Sequence, residues 1–104
     1  MENKIQYMDK KTKYGFIGMN KYAAKHIGVP FNHPSNVVTV YKNLPKDVRT
    51  TTIHHEECER YLMKNKHYRY NRAHKVALRF EKLNKPFPDN NVQATLRAMK
   101  FDIN

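Results

Sequence analysis

The residues best suited to chemistry lie in the run His54-His55-Glu56-Glu57-Cys58-Glu59, and a further histidine, His74, follows it. Imidazole, thiolate and carboxylate groups are the side chains that bind zinc in proteins. If the run is helical, residues four apart share a face, so His55 and Glu59 are placed to hold one ion. Glu56 then lies about 100° around the helix from His55. The run therefore predicts a zinc site.

The position of His74 makes it the expected third ligand. The segment Asn65-Lys66-His67 predicts a break between one helix over about 51–64 and a second over about 69–83, which would form an antiparallel hairpin. If the turn centres near residues 66–67, helix positions whose numbers add up to about 133 lie at the same height. Glu59 and His74 meet this condition. We therefore expect these two side chains to face each other.

His55 and Glu59 also fall inside the apolar stripe of the first predicted helix, together with Leu62. An unpartnered imidazole or carboxylate is costly to bury, so these positions favour a metal, a hydrogen-bonded pair or a water-filled cleft. The same helical period turns Glu57 and Arg60 outward. On the second helix the expected apolar face comprises Tyr70, Ala73, Ala77 and Phe80, with His74 at its border.

Two alternatives to this ligand set are open. His54 and Cys58 are also four residues apart and would place a thiolate on the ion. Polar residues on a helix also commonly form nothing more than a solvated face. Cys58 is the single cysteine, so the chain has no internal disulfide. Within a helix it is expected to be a small buried residue rather than a nucleophile, which would need a positioned base.

The pattern Ile53-His54-His55-Glu56-x-x-Glu59, followed by Tyr70-x-x-Ala73-His74-x-x-Ala77, resembles a reduced core of the zincin metallopeptidases. It covers about a quarter of the chain and consists of an HExxE helix plus a distal histidine on the following helix. The resemblance implies a zinc ion held by His55, Glu59 and His74, with Glu56 as general base and a peptide or protein as substrate. Glu59 stands where the common motif has a second histidine. Ligands of these types also suit manganese, iron, cobalt and nickel.

Charge indicates an alternative function from a different class. The chain has 20 Lys and Arg against 9 Asp and Glu, a net charge of +11, which favours polyanionic partners. Around the second helix the cations alternate with tyrosines, which can stack on bases while the cations contact phosphates. The alternative is a basic nucleic-acid-binding protein without catalytic activity. Its candidate contact residues are Lys66, Arg69, Tyr70, Arg72, Lys75 and Arg79.

Length and composition predict a single α+β domain over 1–104 that folds without disulfides, since 39% of the residues are hydrophobic. We expect a strand and helix region over 1–45, the helical hairpin carrying the site over 50–84, and a C-terminal helix over 89–100. The chain contains no secretory signal and no run of about 18 apolar residues. These observations predict an intracellular, cytoplasmic protein without a membrane partner.

Local patterns predict the shorter elements. Residues 37–41 are β-branched or aromatic and form the clearest strand, which would either pair with an extended peptide or lie inside a sheet. Residues 14–18 are expected to form a short strand that ends in a turn. Asn20 should cap a helix that Gly28 ends. The cap of the motif helix is expected among Thr50, Thr51 and Thr52.

Overall fold

Residues 3–81 contain a three-stranded sheet, and the β-branched run forms its centre. The computed structural model describes residues 3–81. β1 (Lys4–Met8) pairs in parallel with β3 (Val37–Tyr41), and β2 (Gly18–Asn20) pairs antiparallel with the other side of β3. In this described part of the chain three α-helices pack with the mixed sheet, so the predicted α+β class is correct.

β3 is buried on both of its faces. Val38 and Val40, which share one face, are 0% exposed, and Thr39 on the opposite face is 4% exposed. Both edges of β3 are occupied, one by β1 and the other by β2. The expectation that this strand pairs with a peptide is therefore wrong, and the internal position is correct. Within residues 3–81, β2 is one of the two edge strands.

The strand expected over 14–18 is wrong. Lys13–Gly15 forms a 3-10 turn instead, with Tyr14 at φ 69° and Gly15 at φ 80°. A positive φ is incompatible with an extended strand. Extended pairing therefore begins only at Gly18, where the predicted strand was expected to end.

The first helix, α1 (Lys21–Ile27), begins and ends as predicted. The side-chain oxygen of Asn20 accepts hydrogen bonds of 3.0 Å from the backbone N–H groups of Tyr22 and Ala23. Gly28 follows the helix in the left-handed region at φ 89°, and its N–H donates to the carbonyl of Ala24. Asn20 belongs to β2 as well, so this cap fixes the helix directly against the sheet edge.

The motif helix, α2 (Lys46–Asn65), begins earlier than the sequence predicted. Pro45 precedes it, and its φ of −53° suits entry into a helix. The threonines expected as caps lie inside α2, and their hydroxyls donate to backbone carbonyls of the preceding turn. The threonine cap is therefore wrong, because the proline starts the helix one turn before these residues.

The last described helix, α3 (Tyr70–Glu81), packs against α2 after a turn in which His67 takes a φ of 55°. The predicted antiparallel hairpin is confirmed. The apolar part of the contact between the two helices is formed by Cys58, Leu62, Ala73, Val76, Ala77 and Phe80. The remainder of the hairpin expected to 84 and the helix expected over 89–100 lie outside the described residues. No helix within residues 3–81 combines the length and apolarity that crossing a membrane requires.

One predicted orientation on α2 is wrong. Arg60 was expected to point outward, but it is 3% exposed, and its Nε donates a hydrogen bond to the carbonyl oxygen of Ser35. The loop before β3 covers this side of the helix. Helical periodicity cannot detect such a cover, because it comes from a segment 25 residues away. Glu57 is half-buried and accepts a hydrogen bond from Asn3.

Candidate metal centre

Three side chains from α2 and α3 meet at one carboxylate oxygen. Oε2 of Glu59 lies 3.1 Å from Nε2 of His55 and 2.9 Å from Nδ1 of His74. The three potential ligand atoms all lie within 4.8 Å of one another. Among residues 3–81, this is the cluster of histidine, cysteine and acidic side chains that could hold a metal ion.

The hairpin register brings these residues together. His55 and Glu59 are one turn apart on α2, and His74 lies opposite Glu59 on α3, as the sequence predicted. The side chain of Glu59 is 2% exposed, whereas that of His74 is 38% exposed. The rings of His55 and His74 meet edge to face, with centroids 4.9 Å apart. The cluster is therefore closed at Glu59 and open to solvent at His74.

The spacing of these atoms fits a small metal ion after modest side-chain movement. Zinc bonds of about 2.0–2.2 Å in a tetrahedral site place neighbouring ligand atoms roughly 3.3–3.5 Å apart. The two contacts to Glu59, at 2.9 and 3.1 Å, are slightly shorter than this. Side-chain rotation would bring the three ligand atoms, which lie within 4.8 Å of one another, to this spacing, and two imidazoles plus one carboxylate are a ligand set that zinc uses.

Asn20 connects this cluster to a second buried carboxylate. Its side-chain nitrogen donates to Oε1 of Glu56 at 2.9 Å and to Oε1 of Glu59 at 3.1 Å. The helix cap uses the amide oxygen of Asn20, so the nitrogen must face the two carboxylates. With Oε1 of Glu59 held in this way, Oε2 is left for the histidines.

Gly18 allows α2 to approach the sheet beside Glu56. A Cβ atom added to Gly18 would lie 2.6 Å from Cγ2 of Thr52 and 3.1 Å from Cγ of Glu56. Contacts below 3.0 Å require a neighbour to shift. The glycine therefore places the backbone of β2 directly against the part of α2 that carries the site.

A cavity of about 180 Å³ opens at the cluster. Glu56 lines it together with the three candidate ligands. Its other walls are largely apolar and come from the segment leading into β2, from α1 and from α3. They include Phe16, Ile17, Met19, Ala23, Ile27 and Leu78. The candidate site is thus a polar cluster at the floor of a mostly apolar cleft.

Two groups at the site have strongly shifted pKa values. Burial and the charge of Glu59 raise the pKa of the Glu56 carboxyl to about 8. Burial alone would lower the pKa of His55, but the hydrogen bond to Glu59 and the charges of Glu56, Glu59 and Glu81 raise it to about 8. Three of the nine acidic residues of this basic chain thus converge on one cavity, an arrangement that favours a bound cation.

Tyr70 belongs to the site and does not lie on the outer surface. Its ring stacks on His74 on one side, with centroids 5.2 Å apart, and on His26 on the other, at 4.8 Å. The phenol oxygen lies 3.4 Å from Nδ1 of His74. Burial and the charges of Glu59 and Glu56 raise the pKa of Tyr70 to about 12, so it keeps its proton at neutral pH.

The other residues considered for nucleic-acid contact lie on the exterior. Lys66, Arg69, Arg72, Lys75 and Arg79 are all exposed. The guanidinium of Arg72 lies over the ring of Tyr68, 4.1 Å from its centroid.

The alternative ligand pair, His54 and Cys58, does not join the cluster. Cys58 lies in the apolar core between α2 and α3 at 0% exposure, and burial raises the pKa of its thiol. A thiolate is therefore disfavoured there, and the expected buried role of this cysteine is confirmed. His54 is 8% exposed, and burial lowers its pKa.

Sequence reasoning missed two residues of the site. Asn20 was expected only as a helix cap, and its second role depends on the packing of β2 against α2. Glu81 was not considered, although its Oε2 lies 3.1 Å from Nδ1 of His55. The available signal for Glu81 was its position two turns after His74, which places both residues on one side of α3.

Comparisons of the chain with protein-family models, curated proteins and solved structures gave no significant match. The functional conclusion therefore depends on the residues of the site and their geometry.

Proposed function

We propose that the protein binds zinc, or another divalent transition metal, through His55, Glu59 and His74. We further propose that it uses this metal to hydrolyse peptide bonds. The observation that carries this proposal is the convergence of three ligand atoms from two helices within 4.8 Å. Three carboxyl groups, those of Glu56, Glu59 and Glu81, line the same cavity in a chain of charge +11, which supports a cation as the occupant.

A catalytic role is favoured over a purely structural one. Structural zinc sites usually have four protein ligands, whereas catalytic sites have three and keep one position open. The cluster within residues 3–81 has three ligands and lies at a cavity. Zinc in such a site lowers the pKa of water to about 7 and polarises a carbonyl group.

Glu56 is the residue we assign as general base. It precedes Glu59 by three residues, lines the cavity and is not one of the three ligands. Asn20 binds Oε1 of Glu56 and leaves Oε2 as the oxygen for a proton from water. In the metal-free protein the raised pKa of Glu56, about 8, favours its protonated form at neutral pH, and a cation held by the three ligands would favour the carboxylate form that accepts the proton.

A peptide fits the surroundings of the site. The cleft walls are apolar, and β2, an edge strand of the described sheet, contributes Gly18 and Met19 to the same cavity. An apolar cleft of this kind can hold the side chains of a peptide beside the candidate ligands.

Metal content is the first test. The full chain is purified without a His tag or chelator, and bound metal is measured by elemental mass spectrometry. We expect close to one zinc per chain, lost in His55→Ala and retained in His33→Ala, a histidine that does not line the metal cavity. The absence of metal from the wild type, even after zinc is supplied, would refute the metal proposal.

Hydrolysis needs a separate test on a quenched fluorescent peptide library. In Glu56→Gln we expect unchanged zinc content and a rate at least about 100-fold lower, the usual contribution of a general base. An equally active Glu56→Gln variant would exclude this residue as the base. Bound zinc with no cleavage of any peptide would leave a metal-binding protein without the proposed peptidase activity.

Nucleic-acid binding remains a second candidate, supported by the exposed face formed by Arg72, Lys75 and Arg79 on α3. Binding of a single-stranded oligonucleotide, followed by fluorescence anisotropy over a salt series, tests it. Each phosphate contact that is removed should lower the salt slope by about one. If Arg72→Gln and Lys75→Gln leave both the affinity and the slope unchanged, this face does not bind nucleic acid.

A further inference from the structure

We propose that Glu81 is a positioning residue of the metal centre, which holds the proton on Nδ1 of His55 and thereby aims Nε2 of the same ring at the metal. This role presupposes the proposed metal site. It concerns a residue that is not one of the three candidate ligands.

The two nitrogens of His55 have different partners. Nε2 lies 3.1 Å from Oε2 of Glu59, inside the candidate ligand set, and Nδ1 lies 3.1 Å from Oε2 of Glu81. The side chain of His55 is 10% exposed and that of Glu81 is 32% exposed. The imidazole is therefore held between a ligand of its own helix and a carboxylate of the other helix.

This arrangement determines which nitrogen can bind a metal. A neutral imidazole has one N–H group and one lone pair, and a metal takes the lone pair. A carboxylate next to Nδ1 accepts the N–H there, so the lone pair stays on Nε2, on the side of Glu59 and His74. A carboxylate behind a ligating histidine fixes the tautomer and the ring orientation, and its removal typically weakens metal binding 10- to 100-fold.

The contact follows from the hairpin register. Along α3, Glu81 lies seven residues beyond His74, about 10 Å along the axis. Along the antiparallel α2, His55 lies four residues before Glu59, about 6 Å in the same direction. The glutamate side chain spans the remaining distance. The packing that brings Glu59 to His74 thus also brings Glu81 to the far side of His55.

The test compares Glu81→Gln and Glu81→Ala with the wild type in the full chain. Zinc affinity is measured by competition with a chromophoric chelator, and the ligand geometry is followed by the absorption spectrum of bound Co²⁺. Asp47→Asn removes the same charge at an exposed position in the first turn of α2 and serves as the control. Circular dichroism of each metal-free variant checks folding.

We expect zinc affinity to fall about 10-fold in Glu81→Gln, whose amide oxygen can still accept the N–H, and up to about 100-fold in Glu81→Ala. The Co²⁺ spectrum should change in Glu81→Ala, and the Asp47→Asn variant should match the wild type in both measurements. If Glu81 only stabilised the fold, its replacement would lower the Tm of the metal-free protein, but zinc affinity would not fall in the order wild type, Glu81→Gln, Glu81→Ala. If Glu81→Ala does not fold, the zinc affinity of Glu81→Gln relative to the wild type tests the proposal.

Three outcomes would overturn the proposal, and they are distinguishable. A wild type that binds no zinc would remove the proposed function and this role with it. Equal affinities in the wild type and both Glu81 variants would remove only the role of Glu81. A loss in Glu81→Ala as large as that in Glu59→Gln, and well above the roughly 100-fold upper range for a residue behind a ligand, would make Glu81 a direct ligand instead.

Discussion

Replacement of Glu59 by glutamine is the most informative single change, because the shape is kept and only the charge and one acceptor are lost. The carboxylate of Glu59 accepts a hydrogen bond from Asn20 at Oε1 and, in the metal-free protein below pH 8, where His55 carries both of its protons, another from Nε2 of His55 at Oε2. Nδ1 of His74 lies 2.9 Å from the same Oε2. A glutamine amide has one oxygen, so at least one buried donor loses its partner. An unsatisfied buried donor costs about 1–3 kcal/mol. We expect the metal-free variant to melt roughly 4–24 °C below the wild type.

Added zinc should widen the difference in Tm between the wild type and Glu59→Gln. At a zinc concentration 1,000 times its dissociation constant, binding stabilises the wild type by about 4 kcal/mol. For a domain of this size that is a rise in Tm of roughly 16–32 °C. If Glu59→Gln weakens zinc binding about 1,000-fold, the same zinc concentration adds only about 0.4 kcal/mol, or roughly 2–3 °C.

The assay is thermal unfolding followed by circular dichroism, with zinc and with a chelator. Glu57→Gln is the matched control, since it makes the same change two residues away on α2, where the carboxylate accepts a hydrogen bond from Asn3 and does not line the cavity. The rise in Tm that zinc causes in Glu57→Gln should equal the rise in the wild type. A rise in Glu59→Gln as large as in the wild type would refute the assignment of Glu59 as a ligand.

The pKa shifts at the site, the close approach of Gly18 to α2 and the bridging amide of Asn20 can each be tested. The metal-free protein should lose stability as the pH rises from about 6 to 9. In the folded protein the pKa values of His55 and Glu56 are about 8, above their ordinary values of 6.5 and 4.5, so folding takes up protons. The stability that this proton uptake contributes is therefore lost as the pH rises through 8. Melting in buffers with chelator should show a fall of at least about 5 °C, and a rise would contradict it. Gly18→Ala should destabilise the chain by about 1–3 kcal/mol through its contact with Thr52, and Thr52→Ser, which removes the obstructing methyl, should restore part of that loss in urea unfolding. Asn20→Asp keeps a good helix cap but sets a third carboxylate against Glu56 and Glu59, so the metal-free variant should melt lower than the wild type, and an unchanged Tm would show that the Asn20 amide does not bridge them.

The local elements could be predicted wherever one short stretch of sequence controls them. The helix from Asn20 to Gly28 has a capping side chain and a left-handed terminator within itself. The strand over 37–41 is specified by its β-branched residues. Where a neighbouring segment intervenes, prediction failed, as with Arg60, which a loop covers. The strand expected over 14–18 failed for a local reason, since two positive φ values exclude it.

The sequence by itself determined the pairing of Glu59 with His74, because the helical repeat and the position of one turn fix which residues of a hairpin lie at the same height. Only the tertiary structure decided what surrounds that pair. Asn20 reaches Glu56 across 36 residues of chain, and Glu81 reaches His55 across 26. The contact of Asn20 depends on how β2 packs on α2, and packing between distant segments leaves no periodic signal in the residues that make it. For Glu81 the helical repeat gives the side of α3 on which it lies, and the packing of α3 on α2 decides that its carboxylate reaches His55.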